Sequence, residues 1–453
     1  MFKVSELVKA TQGKLIQGDP RKITGGISTD SRKLKSGEVF LAIKGDNFNG
    51  HDFIARAALL KAGCIICERV KGVIPPAIAV IRVADTTIAL GDIARFARLK
   101  FSLPVIAVTG SNGKTTTKDM AAWVLSGSGK TLKNEGSRNN HIGLPQTLLK
   151  VCAKDRYAVL EIGTNHFGEV KYLSDICLPQ VGVITNVGHA HLEFFKDLKG
   201  VFKEKSSLLD NLKGARIAVL NADDSHLRRL TAAPARNKLP VFSFAINSPA
   251  DFKASSVRIE GNRVSFKVNG KFPFLLDTPG RHNIYNALAA VAIGRIFGLS
   301  YARISKRLAA FTFPKGRLKA IRVRGLNFID DTYNANPLSL HRSLETLNDM
   351  RAAGRKVLVL GDMLELGAQK ESLHKEIAGS ITNICDIFIA CGKLACLAAA
   401  AAEKNGFKKE NIFCCSNSLK ARKLVFQNGL LRKDDLILVK GSRGMHMEEV
   451  FKV

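Results

Sequence analysis

The run Gly110-Ser111-Asn112-Gly113-Lys114-Thr115-Thr116 combines small residues, one lysine and hydroxyls at a spacing suited to holding phosphate. Before it, Val105 to Val108 is short and apolar and reads as a buried strand. A helix-compatible segment begins near Thr115 and continues through Met120 to Leu125. In such a strand–loop–helix unit the loop's backbone N–H groups can fold inward around an anion. The helix N-terminus adds unpaired donors and the positive end of its dipole. Lys114 is placed to reach the outer phosphates, and the Thr115 hydroxyl to sit on a magnesium ion. Val108 stands where the common phosphate-loop pattern has a glycine, so only the Gly-x-x-Gly-Lys-Thr half is present. The stretch reads as an ATP site.

Further chemistry gathers at the ends of other apolar runs. Tyr157-Ala158-Val159-Leu160 ends in Glu161, a carboxylate placed to bind magnesium directly. His189, His191 and Glu193 follow the run Val181–Asn186; a histidine is an unusual ligand for hard magnesium, which prefers oxygen. Lys205, within Val201–Leu209, would ordinarily be a solvated helix lysine. Gly280-Arg281-His282-Asn283-Ile284-Tyr285-Asn286 opens a helix. Asp330-Asp331-Thr332-Tyr333-Asn334-Ala335-Asn336-Pro337 follows a strand and carries more acids and amides than a turn requires.

The elements that must position these groups fall into three α/β units. Residues 1–84 alternate the apolar runs Val39–Ile43, Cys64–Cys67 and Ile78–Val83 with helical stretches Val4–Ala10 and Phe53–Ala62. Two polar turns, Ser28–Arg32 and Gly45–Asp52, interrupt them with ordinary turn chemistry. Residues 85–313 open with Asp85 as a helix N-cap and contain the phosphate loop within a parallel sheet. An antiparallel meander from Phe252 to Phe274 is appended to it, with Asn269-Gly270 among its turns. Residues 314–453 alternate five further apolar runs with helices, including the alanine-rich Leu394–Ala402, and read as a Rossmann-like, doubly wound domain.

Composition narrows the function classes. At 453 residues the chain can bury several cores, and no uninterrupted apolar stretch approaches the ~20 residues that span a bilayer. The N-terminus has no signal-peptide pattern, so the expected compartment is the cytoplasm, without membrane insertion. Nine cysteines scattered among apolar residues do not form a disulfide framework, and Cys64 and Cys67 read as packed core thiols. The formal net charge of +30 invites a nucleic-acid partner, but no three Lys or Arg residues occur in succession and no aromatics interleave with them. No nucleic-acid partner is expected.

These stretches, together with Gly136–Gly143, Glu161–Glu169, Gly188–Glu193, Gly361–Gly367 and Lys440–Arg443, resemble the Mur ligases, the ATP-dependent amide ligases of peptidoglycan assembly. The resemblance covers the whole chain. Asp330–Pro337 and Gly361–Gly367 point to the branch that joins D-alanyl-D-alanine to UDP-N-acetylmuramoyl-tripeptide. It implies that Lys114 holds the β and γ phosphates, that Thr115 and Glu161 bind one magnesium, and that His191 binds a second. Lys205 matches a lysine that the family carbamylates into a metal ligand. Asn283 and Asn286 would contact the adenine side, while Arg317 and Asp331 reach ATP from across a domain gap.

For the substrates, the resemblance implies Asn139 and Asn140 near the UDP-sugar, Ser31, Arg32, Asn49 and His51 in the uridine-holding domain, and Asn334 and Asn336 also at the substrate. Asn49 stands where an aspartate is common. The implied enzyme is a monomer that forms an acyl phosphate and closes its third domain over the second to exclude water. Three alternatives are disfavoured by the motif residues: a folylpolyglutamate synthase of the same fold, a Mur ligase that adds a different amino acid, and a nucleotide-dependent binding protein that uses its charge on RNA or an anionic surface.

Overall fold

The computed structural model describes residues 1–45, 48–231, 239–427 and 429–452. Three larger sheets organise them. The first has the order Lys14–Gln17, Ala79–Arg82, Cys64–Cys67, Val39–Leu41, Ile27–Ser28, parallel apart from its antiparallel edge at Lys14–Gln17. Cys64 and Cys67 are free, buried thiols, and burial pushes them up to about 12 and about 11.

The central sheet runs Phe272–Leu276, Arg263–Val268, Phe252–Glu260, Val241–Ala245, Ile217–Asn221, Val181–Ile184, Val105–Thr109, Tyr157–Glu161, Thr131–Lys133. Its members are parallel from Phe252–Glu260 onward, and the first three form the antiparallel meander. Val105–Thr109 and Tyr157–Glu161 are buried along their whole length, as strands covered on both faces must be. Behind them the helix Lys114–Ser126 packs on the helix His282–Ile296. Met120 and Val124 share a core with Ala287, Ala290 and Val291. Alanine on the second helix lets the two axes approach, and each large side chain sealed there contributes about 1.5–3 kcal/mol.

The third sheet has the order Lys319–Val323, Leu326–Asp331, Leu436–Lys440, Lys356–Gly361, Ile387–Cys391, Ile412–Cys415. All pairs are parallel except the first, a hairpin. Its turn, Arg324-Gly325, has φ of 49° and 82°, a pair of left-handed residues that matches the strands' twist. Lys14–Gln17, Ile27–Ser28, Thr131–Lys133 and Lys319–Val323 are sheet strands that the apolar pattern does not mark, because they are short or mix polar and basic residues into the run. The expected helix Phe53–Ala62 is shorter, with a 3-10 turn over Gly50–Phe53 leading into Ile54–Leu59.

Asp85 caps the helix Thr86–Leu99, accepting from the N–H groups of Thr87 (2.6 Å) and Ile88 (2.9 Å). Among the described residues no helix is long and apolar enough to cross a membrane.

Candidate active site

The C-terminal ends of the central strands open on a cavity of about 420 Å³, closed from the other side by the third domain. Strand Val105–Thr109 delivers the phosphate loop to it. Gly110 has φ 144° and Gly113, which caps the following helix, φ 79°. A Cβ on Gly113 would lie 2.5 Å from the Asn286 side-chain oxygen, so the close approach of these two elements requires glycine. Ser111 Oγ donates to the Gly188 carbonyl and accepts from its N–H, both at 2.9 Å. Asn112 N–H donates to Asn186 Oδ1 at 2.9 Å, so the loop is tied to the neighbouring strand end.

Lys114 folds back over that loop, its Nζ donating to the carbonyls of Gly110 (2.8 Å) and Ser111 (3.1 Å). Burial lowers its pKa from the ordinary lysine value, opposed by the Glu161 carboxylate and reinforced by Arg317. Glu161 ends its strand 1% exposed. Its Oε1 accepts from Asn139 Nδ2 at 2.6 Å, while Oε2 is buried without a hydrogen-bond partner among the described residues. An orphaned carboxylate oxygen next to a phosphate loop suits a hard cation, because unpaired charge is costly to bury.

His191 has φ 55°, and its Nδ1 lies 2.8 Å from Glu365 Oε2, a third-domain carboxylate held below the usual range chiefly by its hydrogen bond with His191. Lys205, on the helix Leu198–Asp210, is 1% exposed and makes no hydrogen bond through Nζ among the described residues. Burial drives its pKa well below the ordinary value, and the Lys114 ammonium pushes the same way. Unlike the other metal candidates, Lys205 does not line the cavity.

The third domain meets this edge directly. Arg317 Nη2 donates to Thr115 Oγ1 at 2.9 Å, and its guanidinium lies 4.0 Å over the Tyr333 ring. Asn336 Nδ2 donates to Asn112 Oδ1 at 2.9 Å, and Asn112 Nδ2 returns a 3.3 Å bond to Asn336 Oδ1. Asp331 lines the cavity, yet its Oδ2 accepts from Ser343 Oγ (2.6 Å) and from the Lys440 ammonium.

The structure thus brings Ser111–Thr116, Asn139, Asn140, Glu161, His191, Asn283, Asn286, Arg317, Asp331, Asn334 and Asn336 to one cavity. Several have structural partners that the motif reading did not include. Asn283 donates to the Pro279 carbonyl at 3.0 Å, and Asn286 donates to Asn283 at 3.0 Å while accepting from Thr117. Asn140 accepts from Gly143 N–H at 2.9 Å, Asn334 from Ala335 N–H at 2.9 Å, and Asn336 caps the helix Pro337–Asp349.

Ser31, Arg32, Asn49 and His51 are not at this cavity. Arg32 is exposed and paired with Asp30 at 2.9 Å, which lowers that carboxyl to about 2. His51 is 2% exposed, with Nε2 accepting from Glu68 N–H (3.0 Å) and Nδ1 beside Asn49 Oδ1 (2.9 Å). Both ring nitrogens therefore have partners within the fold, as does the Asn49 amide oxygen. Asp46 and Asn47, in the same turn, lie outside the described residues. Sequence reasoning missed Lys118, Asn134 and Ser343, and it gave no role to Glu365 or Lys440, although both lie in the motif stretches Gly361–Gly367 and Lys440–Arg443.

Comparisons with known proteins agree with this geometry. Models of the Mur ligase family match residues 24–98 (catalytic domain), 108–294 (middle domain) and 316–443 (glutamate ligase domain). A UDP-N-acetylmuramoyl-tripeptide–D-alanyl-D-alanine ligase of Bacillus subtilis is 33% identical, over 99% of this chain and 96% of its own. MurF from Acinetobacter baumannii superposes with TM-score 0.89 at 32% identity, covering 99% of this chain and 97% of that one. MurF from Thermotoga maritima, solved in complex with ADP, gives 0.83 at 28% identity over 94% and 96%. The chain belongs to the Mur ligase family, in the group formed by the MurF enzymes.

Proposed function

We propose that the chain uses ATP to join D-alanyl-D-alanine to the C-terminal carboxylate of UDP-N-acetylmuramoyl-tripeptide, in peptidoglycan precursor synthesis. The observation that carries this reading is the meeting of phosphate loop, Glu161 and Arg317 at one cavity between two domains, in a chain whose full-length relatives bear that enzyme's name. The working division is residues 1–84 for the UDP-substrate, 85–313 for ATP and 314–453 for closure and ligation. ATP and a nucleotide-activated substrate make the cytoplasm the place of work, and the chain acts there as a monomer.

The loop N–H groups and Lys114 would hold the β and γ phosphates. The substrate carboxylate attacks the γ-phosphorus, forming an acyl phosphate and releasing ADP; the D-alanyl-D-alanine amine then attacks the acyl carbon, and phosphate leaves. Lys114 and Arg317 would face the charge that develops on the transferring group. The Asn112–Asn336 contact would help keep the third domain over the cavity, and exclusion of water protects the acyl phosphate.

Thr115 and Glu161 would hold one magnesium, and His191 and a carbamylated Lys205 a second; the ions would supply neutralisation of phosphoryl charge. The residues fit: Glu161 Oε2 is orphaned, and Lys205 is a buried lysine whose neutral form burial favours. Only a neutral amine adds carbon dioxide, and the carbamate would replace a repulsive cation near Lys114 with an anion. Intact-mass gain of one carbon dioxide in bicarbonate, lost in Lys205→Met, tests this. The function itself is tested by phosphate release from ATP with both substrates and with each alone. Release that needs both, with UDP-N-acetylmuramoyl-pentapeptide as product, is expected; no product from this pair would overturn the assignment.

A further inference from the structure

The Glu161 carboxylate is held by more than its strand. Strand Thr131–Lys133 pairs with Tyr157–Val159, and there the backbone ladder stops. Asn134 then continues it with its side chain. Its Oδ1 accepts from Glu161 N–H at 2.9 Å, and its Nδ2 donates to the Glu161 carbonyl and to the Arg138 carbonyl, both at 3.0 Å. The same turn carries Asn139, whose amide occupies Glu161 Oε1 and leaves Oε2 open.

The turn is pinned from beneath by Lys118, fully buried on the phosphate-loop helix, one turn beyond Thr115. Its Nζ donates to the carbonyls of Asn134 (2.7 Å) and Gly136 (3.1 Å) and lies 3.2 Å from Asp119 Oδ1. Two carbonyls accept from the ammonium and one carboxylate pairs with it, a combination that no neutral side chain of this shape reproduces. One helix face therefore presents Thr115 to the cavity and, three residues on, the lysine that fixes the turn against Glu161.

We propose that Lys118 and Asn134 are positioning residues: they lock the Asn134–Asn139 turn so that Glu161 holds Oε2 open for a hard divalent cation, which would take the place of Arg317 on the Thr115 hydroxyl. The proposal rests on the reading of Glu161 and Thr115 as cation ligands. It also ties the acceptor side of the cavity, where Asn139 and Asn140 lie, to cation binding: movement of that turn changes which Glu161 oxygen is free.

The test is Mn²⁺ binding to the full chain with a non-hydrolysable ATP analogue, read from the free-ion signal in electron paramagnetic resonance, beside analogue binding in EDTA. Lys118→Met and Asn134→Asp should each weaken Mn²⁺ binding at least tenfold while analogue affinity without metal changes less than twofold. Lys133→Met, which removes only the exposed partner of Asp119, should bind Mn²⁺ like the parent. A folding defect would lower both affinities together and would count against positioning. If Lys118→Met does not fold, Asn134→Asp decides. Glu161→Gln separates the two layers: parent-like Mn²⁺ binding in Glu161→Gln overturns the ligand reading and the proposal with it. Weak binding there, with parent-like binding in Lys118→Met and Asn134→Asp, overturns the positioning role alone.

Discussion

Two parallel-sheet edges face one another across the cavity, and they handle charge in opposite ways. At the central edge Glu161 keeps a buried oxygen without a partner among the described residues, and Lys205 is a buried lysine whose charged form burial disfavours. At the third-domain edge Asp331 is met by Lys440 and Ser343, and Asp330 accepts from Gly316 N–H (3.0 Å) and Thr332 Oγ1 (2.7 Å). Uncompensated buried charge costs several kcal/mol and persists where something else completes it. The central edge is thus a receiver, incomplete alone. The third edge is a self-satisfied frame that carries Arg317 and Asn336 to the phosphate loop.

Paired substitutions would break this contrast most strongly. Glu161→Gln removes the anion from the incomplete edge and should lower turnover by about 10²–10³-fold, the loss typical of one electrostatic group at a transition state. Its urea midpoint should not fall, because no internal ion pair is lost. Lys440→Met does the reverse to stability. It leaves the partly buried Asp331 with one hydroxyl partner and should cost up to about 3 kcal/mol in urea unfolding. A large stability loss in Glu161→Gln, or none in Lys440→Met, would show that the two edges do not differ in this way.

Between these edges His282 gives a smaller, pH-dependent effect. Burial, with Arg342 and Lys440 nearby, lowers it from 6.5 to about 3. The folded state therefore holds the ring neutral while the unfolded chain takes up a proton below the ordinary value. Stability from this group is full above pH 6.5 and is lost as pH falls toward 3, with a slope of up to about 1.4 kcal/mol per unit. Between pH 6.5 and 5 the parent should lose about 2 kcal/mol that His282→Gln does not lose. Parallel urea-midpoint curves for the two proteins would remove His282 from the account.

The contrast between edges also marks what a sequence reader can find. The phosphate loop is legible because its function resides in backbone geometry, and glycine at 110 and 113 is written into the chain. Glu161 is legible because a carboxylate ends a buried run. Lys118 and Asn134 were not, since a lysine three residues into a helix and an asparagine after a three-residue strand look solvated until the turn folds over them. His51 is a similar case: a histidine in a polar turn reads as solvated, but the fold buries it and places both nitrogens against Asn49 and Glu68. Motif spacing reports which groups can do chemistry; it does not report which have already been used for packing.

The smallest effect tests whether the edges meet in solution. The Asn112–Asn336 amide pair joins the phosphate loop to the third domain, but Asn336 also caps its own helix by accepting from Ser339 N–H at 2.8 Å. Asn336→Ala alone therefore mixes about 1 kcal/mol of lost cap with any lost domain contact. A double-mutant cycle with Asn112→Ala separates them, because the cap is absent from both corners that carry Asn336→Ala and cancels. If the two edges are in contact without nucleotide, unfolding should give a coupling of about 0.5–1.5 kcal/mol, the net worth of such hydrogen bonds. Zero coupling without nucleotide, and a coupling of that size once an ATP analogue is bound, would show that the frame closes only on a filled receiver.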